Sequence, residues 1–110
     1  MNLSYPDELI PSPNEVLRKA GYSYSVDPVT QHSSYMLRLG PDLYPRFHVY
    51  VEHKDGETIL SLHLDQKKPS YSGSHAHGGE YDGPIIEKEM KRIDDWVRYF
   101  FLANSASNNF

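Results

Sequence analysis

Two alternating segments, Arg46 to His53 and Thr58 to Asp65, are joined through Asp55-Gly56, and this arrangement constrains the fold more than any other feature of the chain. An Asp-Gly pair suits the left-handed backbone of a two-residue hairpin turn, and alternation on each flank marks strands with one buried face. With that turn, Val51 faces Leu60, Val49 faces Leu62 and Phe47 faces Leu64. The apolar sets coincide, and a slip of one residue would turn one of them toward water. The same register sets the opposite face, where Tyr50 meets Ser61, His48 meets His63 and Arg46 meets Asp65.

The flanking segments supply what this hairpin needs to bury its apolar side. Ser12-Pro13-Asn14-Glu15 has a capping serine, a proline suited to the first helical position and a glutamate completing a capping box, and Gly21 ends the short helix that follows. Tyr22 to Val26 and Ser34 to Leu39 alternate around Asp27-Pro28 and predict a further hairpin. After Gly83-Pro84, the residues Ile86, Met90, Ile93, Val97 and Phe100 recur at helical spacing, and Trp96 and Phe101 widen the stripe. Glu87 with Lys91 and Asp94 with Arg98 are i, i+4 pairs expected on the exposed side.

The expected fold class is α+β: a four-stranded antiparallel sheet of two hairpins, with a short N-terminal helix and a long C-terminal helix packed on one face. Residues 1–8 read as an N-terminal extension, 9–103 as a single domain with a long loop at 66–83, and 104–110 as a frayed tail rich in Asn and Ser. At 110 residues the chain suits one core.

The composition narrows the chemistry. With no cysteine, disulfides, thiolate metal ligands and cysteine nucleophiles are all excluded, so any metal would need His, Asp or Glu. The formal net charge of -4 makes nucleic acid a less favoured partner. No run approaches the ~18 apolar residues of a membrane helix, and the first residues lack a basic start followed by an apolar stretch, so the expected address is cytoplasmic with no membrane partner.

The segment 66–83 is far longer than the ~4–6 residues that usually join elements of a compact domain. It carries His75, His77, Glu80 and Asp82 together with Lys67, Tyr71 and Tyr81, side chains that a plain linker would not need. If it folds back over the polar sheet face, His48, His63, Asp65, His75 and His77 form a candidate site for one divalent transition metal: Zn, Mn, Fe, Co or Ni. Such a metal would lower the pKa of a bound water for hydrolysis, with Glu80 or Asp82 orienting a ligand imidazole or taking the proton. Asp82 is alternatively the cap of the helix behind it.

A metal-free version uses His48 and His63 as acid and base, with Arg46 or Lys67 holding an anionic group, as phosphodiester cleavage would require. Arg46 and Asp65 also read as an ordinary cross-strand ion pair. A non-enzymatic version makes Tyr50, Tyr71 and Tyr81 a recognition surface for a protein or small ligand, with a homodimer across the open face as one form.

His75-Ala76-His77 is similar, over three residues, to the His-hydrophobic-His pair of the HUH endonucleases, which hold a divalent metal and cleave single-stranded DNA with a helix-borne tyrosine. That resemblance would give Tyr99 the nucleophile's place. The family carries its pair on a central strand, whereas here Ser74 and Gly78-Gly79 flank it in a loop, and the chain is not assigned to that family.

Overall fold

The computed structural model describes residues 1–66 and 83–107, the side chains of residues 105–107 excepted. At the hairpin turn, Asp55 has a φ of 53° and Gly56 a φ of 79°, the left-handed pair that a two-residue connection demands. It joins β4 (Arg46–Lys54) to β5 (Glu57–Asp65), and every pairing expected from the alternation is present, from Lys54 opposite Glu57 to Arg46 opposite Asp65. The other hairpin, β2 (Ser23–Val26) and β3 (Ser33–Arg38), closes through Asp27, whose carboxylate accepts from the backbone N–H of Val29 and Thr30.

The sheet has five antiparallel strands rather than four, in the order β1-β5-β4-β3-β2. The additional strand, β1 (Asn2–Pro6), lies in the segment expected to be an extension and pairs along β5 from Asn2 opposite Ser61 to Pro6 opposite Glu57. An edge strand needs a partner on one side only, so its closing proline costs no ladder bond inside the sheet. Leu3 and Tyr5 contribute to the core, with Tyr5 only 6% exposed.

Ser12 caps α1 (Pro13–Lys19) by accepting from the Glu15 backbone N–H, and Gly21 leaves the helix at a φ of +105°. The second helix, α2 (Pro84–Ser107), runs beyond the boundary expected at residue 103. Val16 and Leu17 of α1, and Ile86, Ile93 and Val97 of α2, are buried in one cluster with Phe47, Val49, Leu60, Leu62 and Leu64 of the sheet. Both helices thus cover the same face. Phe101, placed in the apolar stripe by its spacing, is exposed, and Lys91 pairs with Asp95. Among the described residues no helix is long and apolar enough to cross a membrane.

Two hydrogen-bonded clusters fasten α2 to opposite sides of the sheet. Near the β2 edge, the Tyr22 hydroxyl donates to Glu89 Oε2 at 2.5 Å, and Arg92 grips the same carboxylate through Nε and Nη2, both at 2.8 Å. On β1, the Tyr5 hydroxyl donates to Asp94 Oδ1 at 2.6 Å while Arg98 Nε donates to Oδ2 at 2.9 Å. Burial, followed by the adjacent carboxylate, raises both tyrosine hydroxyls far above their ordinary range, so they remain donors. Glu89 is buried with every oxygen occupied, which a carboxylate inside a core requires.

Candidate functional site

Because side chains alternate, the register that sends Phe47, Val49, Leu62 and Leu64 toward the helices leaves Arg46, His48, Tyr50, Ser61, His63 and Asp65 on the other face. Arg46 begins β4 and Asp65 ends β5, so the cluster sits at the sheet end from which the chain enters the segment 66–83. Its side chains are packed together rather than solvated singly. Arg46 and His48 are each 14% exposed and Asp65 is 20% exposed.

Asp65 organises the group. Its Oδ2 accepts from His48 Nδ1 at 2.6 Å and from Arg46 Nε at 3.3 Å. Burial pushes the Asp65 carboxyl upward, but the hydrogen bonds and charges of His48 and then Arg46 together outweigh it and hold the group below the usual carboxylate range. An ionised carboxylate only accepts, so the imidazole proton of this contact resides on His48 Nδ1. In the neutral ring the lone pair is then on Nε2.

The two imidazoles stack, with centroids 5.0 Å apart and planes at 23°. Tyr50 meets both edge-on, at 4.9 Å from His48 and 5.9 Å from His63. Burial, then the Asp65 charge, raises the Tyr50 hydroxyl above its ordinary value, so it stays a neutral donor. The Arg46 guanidinium carbon lies 4.4 Å from the centroid of the Tyr44 ring, a cation–π contact. Tyr44 had no place in the expected site: the prolines around it mark a crossing between hairpins and say nothing of where its ring lies.

Five of the sequence-derived residues, Arg46, His48, Tyr50, His63 and Asp65, therefore come together. The expected metal ligands His75 and His77, the expected proton carriers Glu80 and Asp82, and the expected binding residues Lys67, Tyr71 and Tyr81 lie outside the described residues. Among the described residues no group of three or more His, Asp or Glu is arranged to hold a metal ion. Of the aromatic recognition surface, Tyr50 alone is described, 39% exposed and packed against the imidazoles.

A further polar cluster was not legible in the sequence. Thr58 Oγ1 donates to Asp7 Oδ1 at 2.7 Å and lies 3.2 Å from His53 Nδ1. The residue types suit a nucleophile with its base and acid, but Thr58 is completely buried, so no substrate reaches its hydroxyl. The contact instead ties the turn after β1 to the tip of the β4–β5 hairpin, beside the backbone bond from Asp7 N–H to the Gly56 carbonyl.

No protein-family model, curated protein or solved structure matches the chain. Fold and site define an α+β domain with helices on one sheet face and a packed Arg/His/Asp/Tyr cluster on the other.

Proposed function

We propose that the sheet face opposite the helices is a small-molecule site that performs acid–base chemistry of a hydrolytic kind, with His48 as general base and His63 as its partner. The observation that carries this reading is the 2.6 Å contact between His48 Nδ1 and Asp65 Oδ2. A carboxylate on one ring nitrogen fixes tautomer and orientation, leaving the other nitrogen to exchange a proton with a substrate or water. His63, stacked on the same ring, places a second imidazole beside the first, as a paired acid and base need.

The test is a screen of chromogenic carboxylic esters and phosphodiesters with the wild-type chain, His48→Ala and Asp65→Asn. Turnover of one class is expected, falling on the order of 10²-fold or more in His48→Ala and less in Asp65→Asn. Absence of turnover, or turnover undiminished in His48→Ala, contradicts the reading.

A second reading is favoured by the same contact, because a carboxylate on the far nitrogen is also how metal-bound imidazoles are oriented. In that version His48 and His63 join His75 and His77 around a divalent transition metal, with Asp65 supporting His48. Addition of Zn, Mn, Co or Ni would then raise the melting temperature of untagged protein, and the rise would vanish in a His75→Ala, His77→Ala variant.

A further inference from the structure

We infer that the site takes a protonated oxyanion, a phosphate or phosphomonoester bearing a P–OH group, with Arg46 holding the oxygens and His48 Nε2 accepting the P–OH hydrogen. This rests on the acid–base reading of His48 and adds to it the class of ligand.

Arg46 donates to Asp65 through Nε alone, and among the described residues its two terminal nitrogens make no hydrogen bond. The Arg46 side chain is 14% exposed, so part of it is within reach of solvent. With Nε fixed by Asp65 and the Tyr44 ring against the guanidinium, the planar fork is ordered before a ligand arrives. Such a fork matches the paired oxygens of phosphate, and its prior ordering reduces the entropy lost on binding.

Charge alone does not select the ligand, because Arg46 is balanced by Asp65 at 3.3 Å. The hydrogen-bond pattern does. Arg46 offers donors, while His48, having committed Nδ1–H to Asp65, offers an acceptor when neutral. Near neutral pH inorganic phosphate carries P–O⁻ oxygens and, in part, P–OH hydrogens, complementing both. Sulfate has the oxygens but no hydrogen and would leave Nε2 facing a second acceptor. Preference for phosphate over sulfate is therefore the signature of the site, since a site built around a hydrogen bond rejects a ligand that lacks it.

The experiment is an NMR titration of the full chain, with imidazole and guanidinium nitrogens labelled, near neutral pH in the presence of a chelator. Inorganic phosphate, phenyl phosphate and sulfate are added separately at matched ionic strength. Saturable shifts at His48 Nε2 and Arg46 are expected with phosphate, at an affinity at least about 10-fold above that for sulfate. Arg46→Gln is expected to lose about 10-fold or more in phosphate affinity. Arg46→Lys, which keeps the charge without the fork, serves the same purpose if the first variant does not fold. Tyr44→Leu weakens binding while Tyr44→Phe retains it.

Near neutral pH phenyl phosphate, with a second pKa of about 6, has largely lost its P–OH hydrogen, so tighter binding of inorganic phosphate supports the proposal and tighter binding of phenyl phosphate counts against it. No saturable response to either, equal affinity for sulfate, or undiminished binding in both Arg46 variants overturns it. The His48 Nδ1–H signal of the unliganded protein separates the two levels. Its presence without a phosphate response removes only the ligand class, and its absence removes the acid–base reading.

Discussion

His48 Nδ1 reaches Asp65 Oδ2 at 2.6 Å, although the residue directly across the strand pair from His48 is His63. The contact is diagonal, two pairs along the ladder and so the next pair on the same face, and it joins what would otherwise be two separate cross-strand pairs into one network. Arg46, the residue directly across from Asp65, bonds to the same oxygen.

Replacing Asp65 by Asn removes the charge that both donors address. The expected loss is about 1–3 kcal/mol, the range for breaking hydrogen bonds to a charged group that is mostly withdrawn from water. The pH dependence has a definite sign. Because the folded-state carboxyl is held below its ordinary value, Asp65 contributes stability above the unfolded pKa of about 3.9, and that contribution is lost as pH falls through the folded value. Urea unfolding across acidic pH should show a shallower decline in Asp65→Asn than in the wild type.

At the β2 edge, Tyr22→Phe removes the donor to Glu89 and leaves part of a buried carboxylate without its partner. A destabilisation of about 1–3 kcal/mol is expected, with Arg92 still gripping the remaining lone pairs. Glu89→Ala should cost more, since it also strands the Tyr22 hydroxyl. Equilibrium denaturation of the two variants checks both the direction and the order.

Tyr22 and Tyr5 also set the alkaline limit. Their hydroxyls are raised in the folded chain, so above the ordinary tyrosine pKa of about 10 the unfolded chain loses protons that the native state retains. Stability should therefore fall as pH rises beyond that point. The fall should be smaller in a Tyr5→Phe, Tyr22→Phe double variant, measured as melting temperature against pH relative to the wild type.

Gly56 carries one of the two positive φ angles of the central turn, and a Cβ placed there meets no heavy atom within 4 Å. Gly56→Ala therefore isolates backbone strain from crowding, with an expected cost of about 1–2 kcal/mol. Gly40→Ala, where there is equal space and no positive φ, is the matched control and should be close to neutral.

The parts of the fold that could be read from the sequence are those where one pattern answers to one force. Val49 against Leu62 and Phe47 against Leu64 fix the central register because both sets must be buried together, and the polar face follows from it. Strand β1 was not legible, because Leu3 and Tyr5 are its only apolar residues and its pairing runs through the backbone, which carries no residue code. The clusters at Glu89 and Asp94 were equally hidden. Nothing in the helical stripe singles out Glu89, Asp94 reads as an exposed partner of Arg98, and the tyrosines bonded to them lie 67 and 89 residues away. Within the site, the register gave the shared face of Arg46, His48, His63 and Asp65, but it could not show that Asp65 would choose His48 across the diagonal. That choice depends on side-chain torsions and on competition with Arg46.

On the proposed reading, Asp65 fixes the proton of His48 on Nδ1 and leaves Nε2 as the nitrogen that exchanges protons. Long-range ¹H–¹⁵N correlation of the imidazole nitrogens, at a pH where His48 is neutral, measures this directly. Wild-type protein should show His48 as the Nδ1–H tautomer, and Asp65→Asn should weaken or lose that preference. A His48 ring protonated on Nε2 in the wild type, or a tautomer unaffected by Asp65→Asn, would contradict the account.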